Sequence, residues 1–495
     1  MSAATGSVTV PGRAPARGRR GEVVTLVAVC VATTLVMGLV AAINLAVPMF
    51  AASALHPGAS QLLWIVDAYV LTFACLVIPG GAAGDRFGRK GALVTGLAIF
   101  AAGAILTALA PGVPALLVGR IVTGLGAALV LPNAVGVLVH ATAPERRGRA
   151  LGTWGAVSGL GGLSGNIGGG AILAAGHWQA LFWVIAPLAL ACALWIAFGI
   201  PRSDRSPRSL DPAGTALLVA ASVTLLTGVI EGPERGWGSR VVIGAFLLSA
   251  LLWAVWVLVE LRVRHPLLDP RLFRIPLLAA ACVGMFVTFF GSFGLFYLNA
   301  SLLEYGRGLS VLLTGVAILP LALPLVIGAR FVPALARRVG FTPTLATAFT
   351  AIGGGLFGLS TATSEPYPVY ALWLVLVGCG FALAMPVLTI ELASALPAHQ
   401  AGVAGGLQSA TREFGSALGV AVVGTVLTAV FSATLPSAVH GHTVAAALAT
   451  APARHAVIVG AFVTGANAAL RTAGAVTLAA GLVVVLTARR ATRAR

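Results

Sequence analysis

The chain is built as a succession of apolar blocks of about 20 residues, and this feature fixes the solvent in which it folds. The blocks lie at 23–50, 61–82, 91–111, 113–141, 150–173, 181–200, 213–230, 240–259, 276–300, 311–332, 343–363, 368–392, 402–433 and 465–488. A helix needs about 20 residues to cross a hydrocarbon core of roughly 30 Å. In lipid the backbone must also satisfy its own hydrogen bonds, which a helix does within a single segment. The pattern predicts an all-α integral membrane protein of about fourteen transmembrane helices. Composition agrees: 58% of the 495 residues are hydrophobic and 9% are charged, against roughly 25% charged in soluble domains. Mean hydropathy is +0.99. The blocks leave no room for a sizeable soluble domain.

The formal net charge is +17, but it is spread over short loops rather than gathered on a face, so it reads as a topology signal and no nucleic-acid partner is expected. With the N-terminus inside, the inner loops hold Arg86, Arg89 and Lys90, then Arg146, Arg147 and Arg149, then Arg202, Arg205 and Arg208. Arg262, Arg264, Arg271, Arg274, Arg330, Arg337, Arg338 and Arg412 continue the series, and Arg489, Arg490, Arg493 and Arg495 end it. The opposite segments hold only Arg235, Arg240, Arg307 and Arg454. This asymmetry places both termini in the cytoplasm and requires an even number of spans. Residues 1–22 read as a disordered cytoplasmic tail. The block after them exceeds the 7–15 residues of a signal-peptide core, so it is read as an uncleaved first helix. Arginine outnumbers the single Lys90, and alanine and glycine abound, which points to a GC-rich bacterial genome and a plasma-membrane location.

The five cysteines all fall inside apolar blocks with no paired spacing, and the eight histidines are scattered. Neither a disulfide framework nor a metal site is expected. No catalytic triad or phosphate-cradling loop stands out, so neither an enzyme activity nor a cofactor is expected.

The chain repeats itself. Gly124-x-Gly126-x-Ala128-x-x-x-Pro132 returns as Gly378-x-Gly380-x-Ala382-x-x-x-Pro386, and Pro144 and Gly152 return as Pro397 and Gly405. Gly81 to Lys90 has a degraded partner in Gly328 to Gly340. The expected organisation is a six-helix half over 23–200, an inserted helix pair with its linkers over 201–275, a second six-helix half over 276–488, and a tail over 489–495. Parallel repeats of this kind place a substrate site near the bilayer midplane between the halves.

Three stretches carry chemistry. The loop Gly81-Ala-Ala-Gly84-Asp85-Arg86-Phe87-Gly88-Arg89-Lys90 is short enough to need glycine at its turn. A positive-inside loop accounts for its bases but not for the spacing of Gly81, Asp85, Gly88 and Arg89. In helix 4, Gly124 and Gly126 permit close helix packing, but packing does not account for Arg120, an intramembrane charge that marks a functional position by default. Its repeat partner is Leu374, so the scaffold is duplicated and the arginine is not. In helix 5, Gly161, Gly165, Asn166, Gly169 and Gly170 sit in a glycine-rich run that lacks the Gly-Lys-Ser/Thr ending of a nucleotide loop.

The loop resembles the helix 2–3 motif of the major facilitator superfamily, where the acid and bases form a charge network gating the cytoplasmic side. Arg120 stands where that family carries an arginine implicated in proton coupling. The helix 5 run resembles the motif of the drug:proton antiporter branches, with Asn166 at the position of a proline. Trp64-Ile-Val-Asp67-Ala-Tyr69-Val-Leu71-Thr72, Asn44 to Pro48, and Leu407 to Gly419 with Arg412 and Gly415 resemble the fourteen-helix drug:proton antiporter-2 branch over nearly the whole chain. That branch usually has an acid nine residues before Pro48, and here the residue is Leu39.

Few acids lie within the blocks, and a carboxyl that loses its water favours the neutral form and can exchange a proton. Asp67 is the leading proton carrier, a natural partner for Arg120; Glu304 and Glu413 are the other candidates. Glu413 also reads as a plain ion-pair partner of its neighbour Arg412, Glu304 as a loop residue, and Glu391 as interfacial. The aromatic stretch Met285 to Tyr297 is either a substrate wall or lipid-facing packing, the second being favoured, and Trp64, Trp178 and Trp237 read as interface anchors. The expected function is alternating-access export of hydrophobic or amphipathic small molecules in exchange for protons, by a monomer in the lipid bilayer. An importer or facilitator on the same fold, or a transport-inactive membrane sensor, are the alternatives.

Overall fold

The computed structural model describes residues 19–174, 176–200, 211–263, 266, 268–395, 401–436, 439 and 443–493. Of the expected tail over 1–22, residues 1–18 lie outside the described residues, as do the linker arginines at 202, 205 and 208 and the repeat position Pro397, whereas Arg19 to Glu22 are not a disordered tail but the first turn of a helix. Helices make up the structure, and no strand occurs among the described residues.

The first six are α1 (Arg19–Ala51), α2 (Ala59–Phe87), α3 (Arg89–Ala108), α4 (Val113–Ala141), α5 (Arg147–Leu173) and α6 (Gln179–Gly199). They pack on one another, α3 on α4, α1 on α5 and α2 on α4 most extensively. Next come α7 (Pro212–Arg235) and α8 (Arg240–Glu260), then α9 (Pro276–Ser301), which runs into a π-helical turn at Leu302–Gly306. The remainder are α10 (Val311–Ala317), α11 (Leu319–Val339), α12 (Phe341–Thr361), α13 (Tyr367–Ser394), α14 (Ala401–Thr434), α15 (Val444–Thr450) and α16 (His455–Arg493). In this second set α9 packs on α14, α12 on α13 and α16, and α11 on α13.

Among the described residues twelve helices are long and apolar enough to cross a membrane. Two expected spans do not meet that measure, for local reasons. The span at 150–173 is the fully helical α5, made less apolar by its glycines. The span at 311–332 is broken at Ile318 into α10 and α11, with Pro320 in the first turn of α11, where a missing N–H costs nothing.

The repeat seen in the sequence is a repeat of contacts. A β-carbon at Gly124 would stand 2.6 Å from the Tyr69 carbonyl oxygen on α2, and one at Gly126 would overlap the backbone of Phe100 on α3. Gly378 meets the Leu321 carbonyl of α11 in the same way, and a β-carbon at Gly380 would stand 2.6 Å from the Ala348 carbonyl of α12. The two short turns also correspond: Gly88 and Gly340 have φ of 105° and 98°, a region glycine enters without the penalty other residues meet.

α7 and α8 pack on each other, with the Ser249 hydroxyl donating to the Ala221 carbonyl at 2.9 Å. Asp211 caps α7 by accepting from Gly214 N at 2.8 Å. α7 touches both sets of helices, α2 on one side and α14 on the other; on the α14 side Thr425 Oγ1 donates to the Val229 carbonyl at 2.9 Å.

The two sets meet closely at the end of the bundle opposite Gly88. There a β-carbon at Gly315 of α10 would lie 2.5 Å from the Asn166 carbonyl of α5, and one at Gly170 would lie 3.2 Å from the Val311 carbonyl. Gly424 of α14 is filled by the Leu63 side chain of α2, and Tyr305 Oη donates to the Pro48 carbonyl at 3.4 Å.

Candidate functional site

The Gly88 turn is anchored on α4 by glycines and one asparagine. Pro132 lies inside α4 and cannot bond the carbonyl of Ala128 four residues back. That carbonyl sits where a β-carbon of Gly80 would go, while Gly81 packs on the Pro132 ring. Asn133 Nδ2 donates to the Gly80 carbonyl at 3.0 Å and to Leu129 O at 2.7 Å, and its amide occupies the space a side chain at Gly84 would need. Gly136 leaves room for the Arg89 side chain. Arg89 Nε donates to Asp85 Oδ1 at 2.8 Å, Lys90 Nζ donates to the Ala197 carbonyl at 2.7 Å, and the Arg86 guanidinium lies over Phe87. Sequence reasoning missed Asn133 and Gly136; the signal was an amide one residue after a helix-internal proline in an otherwise apolar helix. At the same end Arg146 holds Glu22 through two hydrogen bonds of 2.7 and 2.8 Å, and that hydrogen bonding raises the pKa of Arg146 above its ordinary value. This ties the start of α1 to the α4–α5 connection.

Arg120 is fully buried. Its Nε donates to the Ile65 carbonyl at 2.9 Å, and its guanidinium lies 4.7 Å from the Tyr69 ring centre. Both Nη atoms lack a hydrogen-bond partner, as does the Tyr69 hydroxyl. Tyr69 lies within electrostatic range of Arg412 and Glu413 on α14, so the arginine's environment reaches across to the second helix set. There Arg412 Nε donates to Glu413 Oε1 at 2.7 Å, and the Arg412 guanidinium stands 5.7 Å from the Phe289 ring.

Asp67 is also fully buried, with neither carboxylate oxygen hydrogen-bonded. It does not meet Arg120, contrary to the expected pairing. The reason is helical geometry: Ile65 and Tyr69 share one face of α2, and a residue midway between them points to the other. Tyr297 of α9 lies within electrostatic range of Asp67. Glu304 lies on the π-helical turn, partly buried, with Oε1 lacking a partner; it is not a solvated loop residue.

The glycines of α5 divide by role. Gly161, Gly165 and Gly169 form a row against α1, where β-carbons would crowd Met37, Gly38 and Ala42; Gly170 faces α10, and Gly162 and Gly168 face open space. Asn166 is buried within an unbroken helix. Leu39, at the position of the missing acid, is a fully buried core residue. In the aromatic stretch of α9, Phe289, Phe290 and Tyr297 are buried and Phe286, Phe293 and Phe296 half-buried, none being exposed as lipid-facing packing would require; Phe289 meets Phe293 at 5.5 Å and Phe381 at 5.2 Å. Trp178 is likewise no interface anchor, being buried 4.9 Å from Phe50. Between α1 and α5, toward the Gly88 end, lies an apolar cleft of about 320 Å³ whose wall includes Val27, Cys30, Val31, Thr34, Thr153 and Val157.

Two sets of packed helices, a repeated glycine scaffold, and charges buried where the sets meet define a polytopic membrane transporter. The sequence profile of the Major Facilitator Superfamily matches residues 29–420, and the chain belongs to that family. It is similar to the tetracenomycin C resistance and export protein of Streptomyces glaucescens, at 32% identity over 96% of this chain and 93% of that protein. It is similar also to the multidrug resistance protein Stp of Mycobacterium tuberculosis, at 32% over 76% and 71%. Among solved structures the fold matches a bacterial homologue of the human lysosomal transporter Spinster in an inward-facing, unoccupied conformation, with a TM-score of 0.71 at 16% identity, covering 97% and 99% of the two chains.

Proposed function

We propose that the protein exports apolar or amphipathic, antibiotic-like small molecules across the bacterial plasma membrane in exchange for protons. The observation that carries this reading is Asp67, a carboxyl buried at the meeting of the helix sets with no hydrogen-bond partner, beside a relative that exports tetracenomycin C. The Gly88 end faces the cytoplasm, as do both termini. The halves span 23–200 and 276–488, α7 and α8 being the inserted pair, and a monomer rocks about a midplane site. Asp67 carries the proton, Arg120 supplies a fixed positive charge on the other face of α2, and Glu413 and Glu304 take part in coupling. Asp85, Arg86 and Arg89 gate the cytoplasmic side. The apolar cleft between α1 and α5 receives the substrate.

Everted vesicles are expected to release a preformed proton gradient when tetracenomycin C, methylenomycin A or a wider panel of lipophilic antibiotics is added, and Asp67→Asn is expected to reduce the response to background. A folded wild-type protein that gives no response to any compound would sink the antiport reading. Leu39 and Asn166, which depart from the antiporter pattern, favour a second reading as a facilitator; transport that persists undiminished without a gradient supports it. Val31→Trp, which fills the cleft, is expected to shift the resistance profile toward smaller compounds, as read by inhibitory concentrations across the panel; an unchanged profile removes the cleft from the substrate path.

A further inference from the structure

We propose that Arg471 of α16 binds the phosphate of an anionic phospholipid whose acyl chains lie along the same helix. The site belongs to the leaflet at the end opposite Gly88 and stands apart from the export reading. Arg471 falls inside the last apolar block of the sequence, where a charge marks a functional position by default. It is exposed, and it heads an exposed apolar stripe made by Ala475, Val476, Leu482, Val483 and Leu486. These residues share one side of the helix, as three- and four-residue spacing dictates. The opposite side, with Ala473, Thr477 and Val484, is buried. The stripe is therefore the lipid-facing side of α16.

Two measures set its depth. α12 has 21 residues, about 31 Å of helix and so one hydrocarbon thickness. Ser360 is next to its last residue, and Arg471 Nε donates to the Ser360 hydroxyl at 3.2 Å. Along α16, the exposed Arg489 follows Arg471 by 18 residues, about 27 Å. Both measures put Arg471 at the level of the lipid phosphates. Capping does not account for it. The last turn of α12 already has its partners: Ser360 Oγ donates to the Phe357 carbonyl at 2.7 Å, Thr361 Oγ1 to the Gly358 carbonyl at 2.8 Å, and Arg307 Nη2 to the Ala362 carbonyl at 2.8 Å. No carboxylate pairs with Arg471 among the described residues, and its two Nη atoms donate to none of them. The Ser360 hydroxyl thus holds one edge of the guanidinium and leaves the fork turned to the lipid. That planar fork matches a phosphate through two parallel hydrogen bonds. Arg307 adds a second positive charge at the same helix end, which favours a headgroup of net negative charge.

Native mass spectrometry of the purified full chain, titrated with phosphatidylglycerol or with phosphatidylcholine, tests the site. Wild type is expected to hold its first phosphatidylglycerol about tenfold more tightly than Arg471→Gln does, the scale of one charged hydrogen-bond donor. Arg471→Lys keeps the charge but loses the fork; it is expected to fall between the two and guards against a folding defect in the glutamine variant. Arg240→Gln removes an exposed charge at the start of α8, away from the stripe, and is expected to bind as wild type does. Wild-type affinity in both Arg471 variants overturns the site. Equal losses in Arg240→Gln and Arg471→Gln overturn it too, since binding would then follow overall charge. Equal affinity of the wild-type protein for the two lipids overturns the preference for an anionic headgroup.

Discussion

Arg120→Ala is expected to abolish export while leaving the protein folded, with resistance in an efflux-deficient host falling to that of the empty vector. The energetics separate the two effects. Translocon-insertion scales put an arginine in mid-membrane at about 2.5–3.5 kcal/mol of cost. Against this stand one hydrogen bond to the Ile65 carbonyl, about 1.5–3 kcal/mol for a charged donor, and one cation–π contact with Tyr69, about 0.5–2 kcal/mol. These terms nearly cancel, so stability gives little reason for arginine to stand there. Its two unpartnered Nη atoms are what the alanine variant removes. Thermal unfolding of the purified variant should stay within a few degrees of wild type. A fall in stability large enough to explain the lost resistance would make Arg120 a structural residue.

Gly165→Val is expected to destabilise the protein by about 3 kcal/mol, the upper end of ordinary overpacking, because its β-carbon would overlap the Gly38 backbone on α1. Backbone cannot swing aside as a side-chain tip can. Gly168→Ala is the control, since a β-carbon there meets open space. Melting temperature and yield of the two purified variants decide the matter; equal melting would show that α1 and α5 do not pack as described. The contrast also divides the helix 5 motif: Gly161, Gly165 and Gly169 pack against α1, while Gly162 and Gly168 meet open space.

Much of the architecture was legible because it is written in long-range composition. Block length gave the helices, and the doubled Gly-x-Gly gave two sets of contacts that the structure reproduces from α4 to α13. Arg120 was legible as a charge out of place. What could not be read was direction. Asp67 and Arg120 look like partners in a linear sequence, yet two residues along a helix turn a side chain to the far side. The aromatics of α9 carry no periodicity that tells lipid from protein, and were misjudged. The role of Asn133 depends on a glycine fifty residues away, which no local pattern announces. Trp178 failed as an anchor for the same reason, its place being set by Phe50 on a distant helix.

α7 makes contact with α2 and with α14 at once, and geometry then links it to any motion between the helix sets. Two bodies that pivot against each other cannot both keep a fixed grip on a third. Each stroke must therefore loosen α7 from one partner or bend it, and the energy of those contacts enters the height of the barrier between conformations. Under the proposed rocking mechanism α7 and α8 act as a friction plate: the grip of α7 on α2 and α14 sets how fast the molecule cycles.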